Sequence, residues 1–142
     1  VTEADLERIE PDPLLAGAFL TRAEQFAADA ARTENTDESR QVLLQSAVVA
    51  ACDSVLAIEG YEVTGSDGGH QLRITEAHRL LDADAELLER LDTVRVSRHQ
   101  VSYAAGLAPA ADVREGLHAA QELVRLAGDR VRPQLPEWFE AT

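Results

Sequence analysis

SRQVLLQSAVVAACDSVLAIEG, residues 39–60, is the most apolar helical stretch in the chain. Its few polar residues do not gather on one side. A helix that is apolar nearly all round is a buried helix rather than one lying on a surface. The alanines leave room for neighbouring helices to approach closely, and Gly60 supplies the stop that commonly follows a last helical turn. In a chain of 142 residues this stretch implies a single domain, with one central helix clad by others.

Outward from that centre the chain reads as more helices. Upstream lies the polar connection TENTDES (33–39), in which Thr36 is a candidate N-cap. Before it, LLAGAFLTRAEQFAADAAR (14–32) places Leu15, Phe19, Phe26 and Ala30 at helical spacing. Asp12 is its candidate cap, with Pro13 at the first helical position. Residues 1–11 are an N-terminal arm, expected as a short helix or a frayed segment. Downstream, YEVTGSDGG (61–69) reads as a loop, with Ser66 or Asp67 capping HQLRITEAHRLL (70–81). An acidic break, DADAE (82–86), precedes the long helix LLERLDTVRVSRHQVSYAAG (87–106). Gly106 and the following LAP stop it, and Pro109 opens AADVREGLHAAQELVRLAG (110–128). Residues 133–142 form a tail whose Trp138 and Phe139 are available to dock on the body or on a partner. Strand patterning is weak throughout. The expected fold is all-α: one domain over 1–142, an up-and-down bundle of about five helices.

The charge excludes some functions. With 26 acidic residues against 13 basic ones, the net charge of −13 argues against general binding to nucleic acid or a membrane surface, though not against a local basic site. The single cysteine, Cys52, cannot form an intrachain disulfide or a cysteine-rich zinc site, which fits a reducing cytoplasm. No membrane span is expected, and the acidic N-terminus does not read as a signal peptide. Every basic residue is arginine, and methionine is absent. That bias fits a GC-rich genome first and a halophile second.

Against this acidic background, TVRVSRHQVSYAAG (93–106) stands out. No acidic residue occurs from Thr93 to Ala111. On a helix, Leu87, Leu91, Val94, Arg98, Val101 and Ala105 recur at alternating spacings of four and three, so Arg98 sits within an otherwise apolar seam. A guanidinium there needs a carboxylate, a set of carbonyls, a wet groove or a bound anion. Arg95 and His99 are four apart and share a face, and Ser102 lies one turn beyond Arg98. Two readings carry equal weight on these residues alone: a structural ion pair for Arg98, or a phosphate-type site with Arg95 and Ser102 as further ligand-binding groups.

The order of these helices, from about Leu14 to Val131, and the motif at Arg98 resemble the HEPN superfamily, the higher eukaryotes and prokaryotes nucleotide-binding domains. The segments AIEGY, GGHQLRITEAHRLL, LLERLDTVRVSRHQVSYAAG and DVREGLHAAQELVRLAGDRV carry the similarity. The family's motif is an arginine, a polar residue and, a few positions on, a histidine. Arg98 matches the first and His99 the second, while Tyr103 stands where the histidine is expected; Arg95 matches a basic residue often found a turn earlier. The resemblance implies a homodimer whose motif helices meet in one cleft, and metal-independent endoribonuclease chemistry without a cofactor. It also implies a protein partner, either an antitoxin or a nucleotidyltransferase-like protein. Tyr103 departs from that chemistry, because a phenol of pKa about 10 is a poor base near neutral pH. His99 can replace the missing base, Tyr103 can donate a hydrogen bond to phosphate, or catalysis is lost. The last is the expectation: a cytoplasmic interaction module binding a partner protein or an anionic ligand such as RNA. The alternative is a ribonuclease of a bacterial toxin–antitoxin or defence system, with Arg98, His99 and Tyr103 catalytic.

Other chemistry is sparse. Glu115 and His118 make a single Glu-x-x-His step, where a di-iron bundle needs two. His70 suits capping or packing at a helix start, and His78 a half-buried helix position. Cys52 reads as core. Asp53, beside it on the most apolar helix, is a natural partner for a buried arginine.

Overall fold

The computed structural model describes residues 3–65, 68–104 and 110–139, and the side chains of all of these except 95–104. In chain order the elements are β1 (Asp5–Arg8), α1 (Pro13–Ala30), α2 (Asp37–Glu59), β2 (Tyr61–Thr64), α3 (Gly69–Leu81), α4 (Ala85–Ala104) and α5 (Ala110–Val131), followed by a 3₁₀ turn at Arg132–Gln134. Five helices pack together, and a two-stranded ribbon lies beside them.

The helix starts follow the local chemistry. Asp12 accepts a hydrogen bond from the Leu15 amide at 3.0 Å, with Pro13 opening α1. Thr36 Oγ1 accepts from the Ser39 amide at 3.2 Å, and Asp37 and Glu38 place negative charge in the first turn of α2. At α3 the N-cap position belongs to Gly68, in a left-handed conformation with no side-chain cap; Ser66 and Asp67 lie outside the described residues. The acidic break works at both ends. Asp82 closes α3 in the left-handed region, and Asp84 Oδ1 accepts from the Leu87 amide at 2.8 Å at the start of α4.

Helix α2 is the axis of the bundle, packed against α1, α3, α4 and α5. Its buried residues run from Gln41 to Ile58 and face every direction around it. It is long and apolar enough to cross a membrane, contrary to the expectation that no stretch would be. However, 72% of its apolar window is buried inside the protein, as in the core helix of a bundle. Its most extensive partner is α1, whose buried face is built of Ala16, Gly17, Leu20, Ala23, Ala27 and Ala30. Small side chains there allow the two backbones to lie close, over a distance that larger residues would hold open. Arg40 fastens the turn between them, donating from Nε to the Ala30 carbonyl at 2.8 Å.

At Gly116 three helices converge. A Cβ there would sit 3.1 Å from Leu44 Cδ1 on α2 and 3.2 Å from Val94 Cγ2 on α4. Gly116→Leu is therefore expected to destabilise the fold by about 1–3 kcal/mol through overpacking. Gly116→Ala should lie within about 1 kcal/mol of wild type, because its better helix propensity offsets the tight contact. Urea denaturation of the two variants measures both.

The ribbon corrects two expectations. Residues 5–8 of the arm form a strand rather than a helix or a frayed end, and residues 61–64 form its antiparallel partner rather than a loop. Asp5 faces Thr64, Leu6 faces Val63, Glu7 faces Glu62 and Arg8 faces Tyr61. Arg8 fixes this end of the pair: Nη1 donates to the Tyr61 hydroxyl at 3.0 Å, and the guanidinium carbon is 5.2 Å from the ring centroid. Gly60 makes the geometry possible. Its φ of 84° turns the chain straight from α2 into β2, and its carbonyl accepts from the Ile9 amide at 2.9 Å. A Cβ at this position would come within 2.8 Å of the Ile9 carbonyl oxygen.

The tail returns to the body through Phe139. Its ring covers Gly17 so closely that a Cβ there would meet Phe139 Cζ at 2.5 Å. Trp138 is left 71% exposed. Of the two aromatic residues, one docks on the bundle and the other points away from it.

Candidate functional site

The first half of α4 is locked into the core. Leu87, Leu91 and Val94 are buried, so the seam read from the sequence is real for its first three members. Gln41, itself buried on α2, donates from Nε2 to the Val94 carbonyl at 3.2 Å. One turn after Val94 comes Arg98. Arg95, Arg98, His99, Ser102 and Tyr103 all fall within the α4 backbone helix, as their spacing required. Their side chains lie outside the described residues, as do Gly106 and Pro109.

Asp53 has a partner, and it comes from α3. Arg73 Nε donates to Asp53 Oδ1 at 2.9 Å, with both side chains about four-fifths buried. Burial pushes the Asp53 carboxyl above the usual aspartate range, and the Arg73 guanidinium only partly opposes that shift. Asp53 therefore holds its proton more tightly in the fold than in the unfolded chain. Its contribution to stability is fully present below about pH 3.9, the unfolded aspartate value, and is lost as pH rises through the folded pKa. Stability of wild type relative to Asp53→Asn should accordingly fall as pH is raised from 3.5 to 7. Paired urea titrations at several pH values check the sign. Cys52, next to Asp53, is fully buried, and its thiol is pushed far up by desolvation, which makes it a core residue and not a nucleophile.

Around Asp53 the structure assembles groups that the sequence did not connect. Gln45 Nε2 lies 2.9 Å from His70 Nδ1, joining the middle of α2 to the start of α3. The Gln45 carbonyl oxygen is buried and has no hydrogen-bond partner. A cleft of about 290 Å³ is lined by Phe19, Phe26, Gln45, Val49, Asp53 and His70 among others. A second, of about 190 Å³, shares Phe19 and Asp53 and opens toward Tyr61 and Arg73. Arg130 bonds Glu59 through Nη1 and donates from Nη2 to the Leu80 carbonyl at 2.7 Å, tying the ends of α2 and α3 to α5. His78 is half-buried, with Nε2 2.6 Å from the Asp84 carbonyl oxygen, whereas Glu115 and His118 are exposed on α5. Among the described residues no group of three or more His, Cys, Asp or Glu is placed to hold a metal ion.

No family model matches the chain, and neither the curated proteins nor the solved structures contain a significant match to it.

Proposed function

We propose that the protein is a HEPN-like interaction module that binds an anionic ligand, RNA foremost, through the basic second half of α4. The observation that carries this reading is the continuity of that helix. Leu87, Leu91 and Val94 anchor it in the core, and the same helix runs on through Arg95 and Arg98 into a stretch with no acidic residue. In a chain of net charge −13, 19 consecutive residues without an acid form a local exception to the repulsion that the rest of the surface exerts on a phosphate. Arginine is the side chain best suited to grip one, through paired N–H donors. Asp53, the most buried-looking acid in the sequence, is already paired with Arg73, which removes one candidate for an internal Arg98 ion pair. Two copies meeting along α4 would double the charge of the site, so the binding unit proposed is a homodimer. Light scattering at micromolar concentration should give twice the monomer mass, and a stable monomer would contradict the shared cleft.

A ribonuclease reading rests on the Arg98–His99 pair. Arg98 would hold a phosphate oxygen, and His99 would act as the base, the role that an imidazole can take near neutral pH. Wild type is expected to cleave single-stranded RNA weakly or not at all, because Tyr103 does not accept a proton readily. Tyr103→His should raise cleavage, and His99→Ala should abolish whatever wild type shows. If wild type and Tyr103→His are both inert, the module is purely a binding one.

A further inference from the structure

We propose a second site, independent of α4: the cleft between α1, α2 and the start of α3 binds a small aromatic carboxylate, with Arg22 at the carboxylate and Phe19 and Phe26 flanking the ring. The first support is the one polar group of the wall that is left uncommitted. Gln45 Nε2 and His70 Nδ1 are 2.9 Å apart, Ser46 Oγ donates to the Val42 carbonyl at 3.1 Å, and Asp53 Oδ1 accepts from Arg73 Nε at 2.9 Å. Arg22, the remaining polar residue of the described lining, has no hydrogen bond or ion pair among the described residues. Its neighbours one turn away on α1 are Ala18, Phe19, Gln25 and Phe26, none of them acidic. The chain has 26 acids for 13 arginines, so an arginine without an acid is unusual in it. Among the described arginines only Arg114 shares that condition; the others bond an acid or, for Arg8, the Tyr61 hydroxyl.

The second support is the spacing of the rings. Phe19, Arg22 and Phe26 are three and four residues apart, share one face of α1 and all line the cleft. The two phenylalanines are separated by about 10 Å along the helix axis. That is roughly twice the ~5 Å at which aromatic centroids favour one another. One ring seated between them meets both, against the apolar surface of Val49 and Ala50. Arg22 lies between the two rings in the helix and is exposed, so it meets a carboxylate carried at the rim with paired N–H donors. The charges favour an anion there. Asp53 is the one acid in the described lining, and its own partner Arg73 compensates it, so Arg22 tips the cleft to a positive balance. The cleft, at about 290 Å³, is at the small end of ligand pockets and suits a single substituted ring rather than a larger molecule.

The test uses phenylacetate, phenylacetamide, which keeps the ring and loses the charge, and acetate, which keeps the charge and loses the ring. The isotope-labelled wild-type chain is titrated with each at low salt and followed by amide NMR. Phenylacetate is expected to give saturable shifts centred on Phe19, Arg22, Phe26 and Val49. Phenylacetamide should bind about three- to tenfold more weakly, the loss of a charge-assisted hydrogen bond that solvent at the rim already screens. Acetate should give no saturable shifts at these residues. Arg22→Gln, a change at an exposed position, should bring phenylacetate down to the affinity of the amide and leave the amide's own affinity unchanged. Absence of saturable phenylacetate shifts, shifts centred elsewhere, equal affinity for phenylacetate and the amide, saturable acetate shifts at the cleft, or full phenylacetate affinity in Arg22→Gln would each overturn the proposal. The ligand comparison needs no variant, so an Arg22→Gln chain that failed to fold would leave the test intact.

Discussion

Truncating Leu91 to alanine is expected to lower the free energy of unfolding by about 2–5 kcal/mol, among the largest losses any single change in this chain should produce. Leu91 is fully buried and sits between Leu87 and Val94 in the seam that α4 turns toward α2 and α5. Removing three methyl-sized groups there forfeits their transfer free energy and leaves a hole. The hole cannot close easily, because Gly116 already brings α5 to near contact with Val94 and Leu44. Leu88, the next residue on the same helix, is only partly buried and serves as the control. Leu88→Ala should cost less than half as much. Urea denaturation with an unchanged m-value for both variants makes the comparison clean. A Leu91→Ala loss below about 1 kcal/mol would mean that α4 is not part of the core.

Replacing Arg73 with alanine should cost about 2 kcal/mol, less than the 3–5 kcal/mol of a fully buried pair because about a fifth of each side chain remains exposed. The penalty comes mainly from Asp53. Without the guanidinium its carboxylate stays in a desolvated place with no opposite charge beside it. Asp53→Asn removes that charge, so the double variant should lose clearly less than the sum of the two single losses, a coupling of about 1 kcal/mol or more. The Arg73→Ala loss should also shrink at low pH, where Asp53 is protonated and needs no partner. Strictly additive losses would show that the pair contributes nothing as a pair.

The residues that were easiest to read in the sequence are those whose effect is local or periodic. Asp12, Pro13, Thr36 and Gly60 act within a few positions of themselves, and each does in the structure what its chemistry implies. The burial of α2 was legible because the stretch from Val42 to Ile58 is mostly apolar and its few polar residues do not gather on one side. The ribbon was not legible. DLER and YEVT are four residues each, too short for alternation to register, and they lie more than fifty positions apart. Only Gly60 hinted that the chain turns sharply there. For the candidate sites the same division holds. The basic stretch on α4 is visible because it is contiguous. The Asp53–Arg73 and Gln45–His70 pairs join residues 20 and 25 positions apart, through the way α3 folds back on α2. Asp53 alone carried a signal, as an acid on the most apolar helix. Arg73, on an ordinary amphipathic helix, carried none.

Binding of a fluorescent single-stranded RNA to the wild-type chain, measured by anisotropy from low to physiological salt, tests the central claim most directly. Wild type should bind saturably at low salt, with log K falling in proportion to log salt as counterions are released. Arg98→Ala should weaken binding at least tenfold, and Arg95→Ala should weaken it less and reduce the salt slope by about one contact. No saturable binding by wild type at low salt, or full affinity in a folded Arg98→Ala chain, would contradict the account.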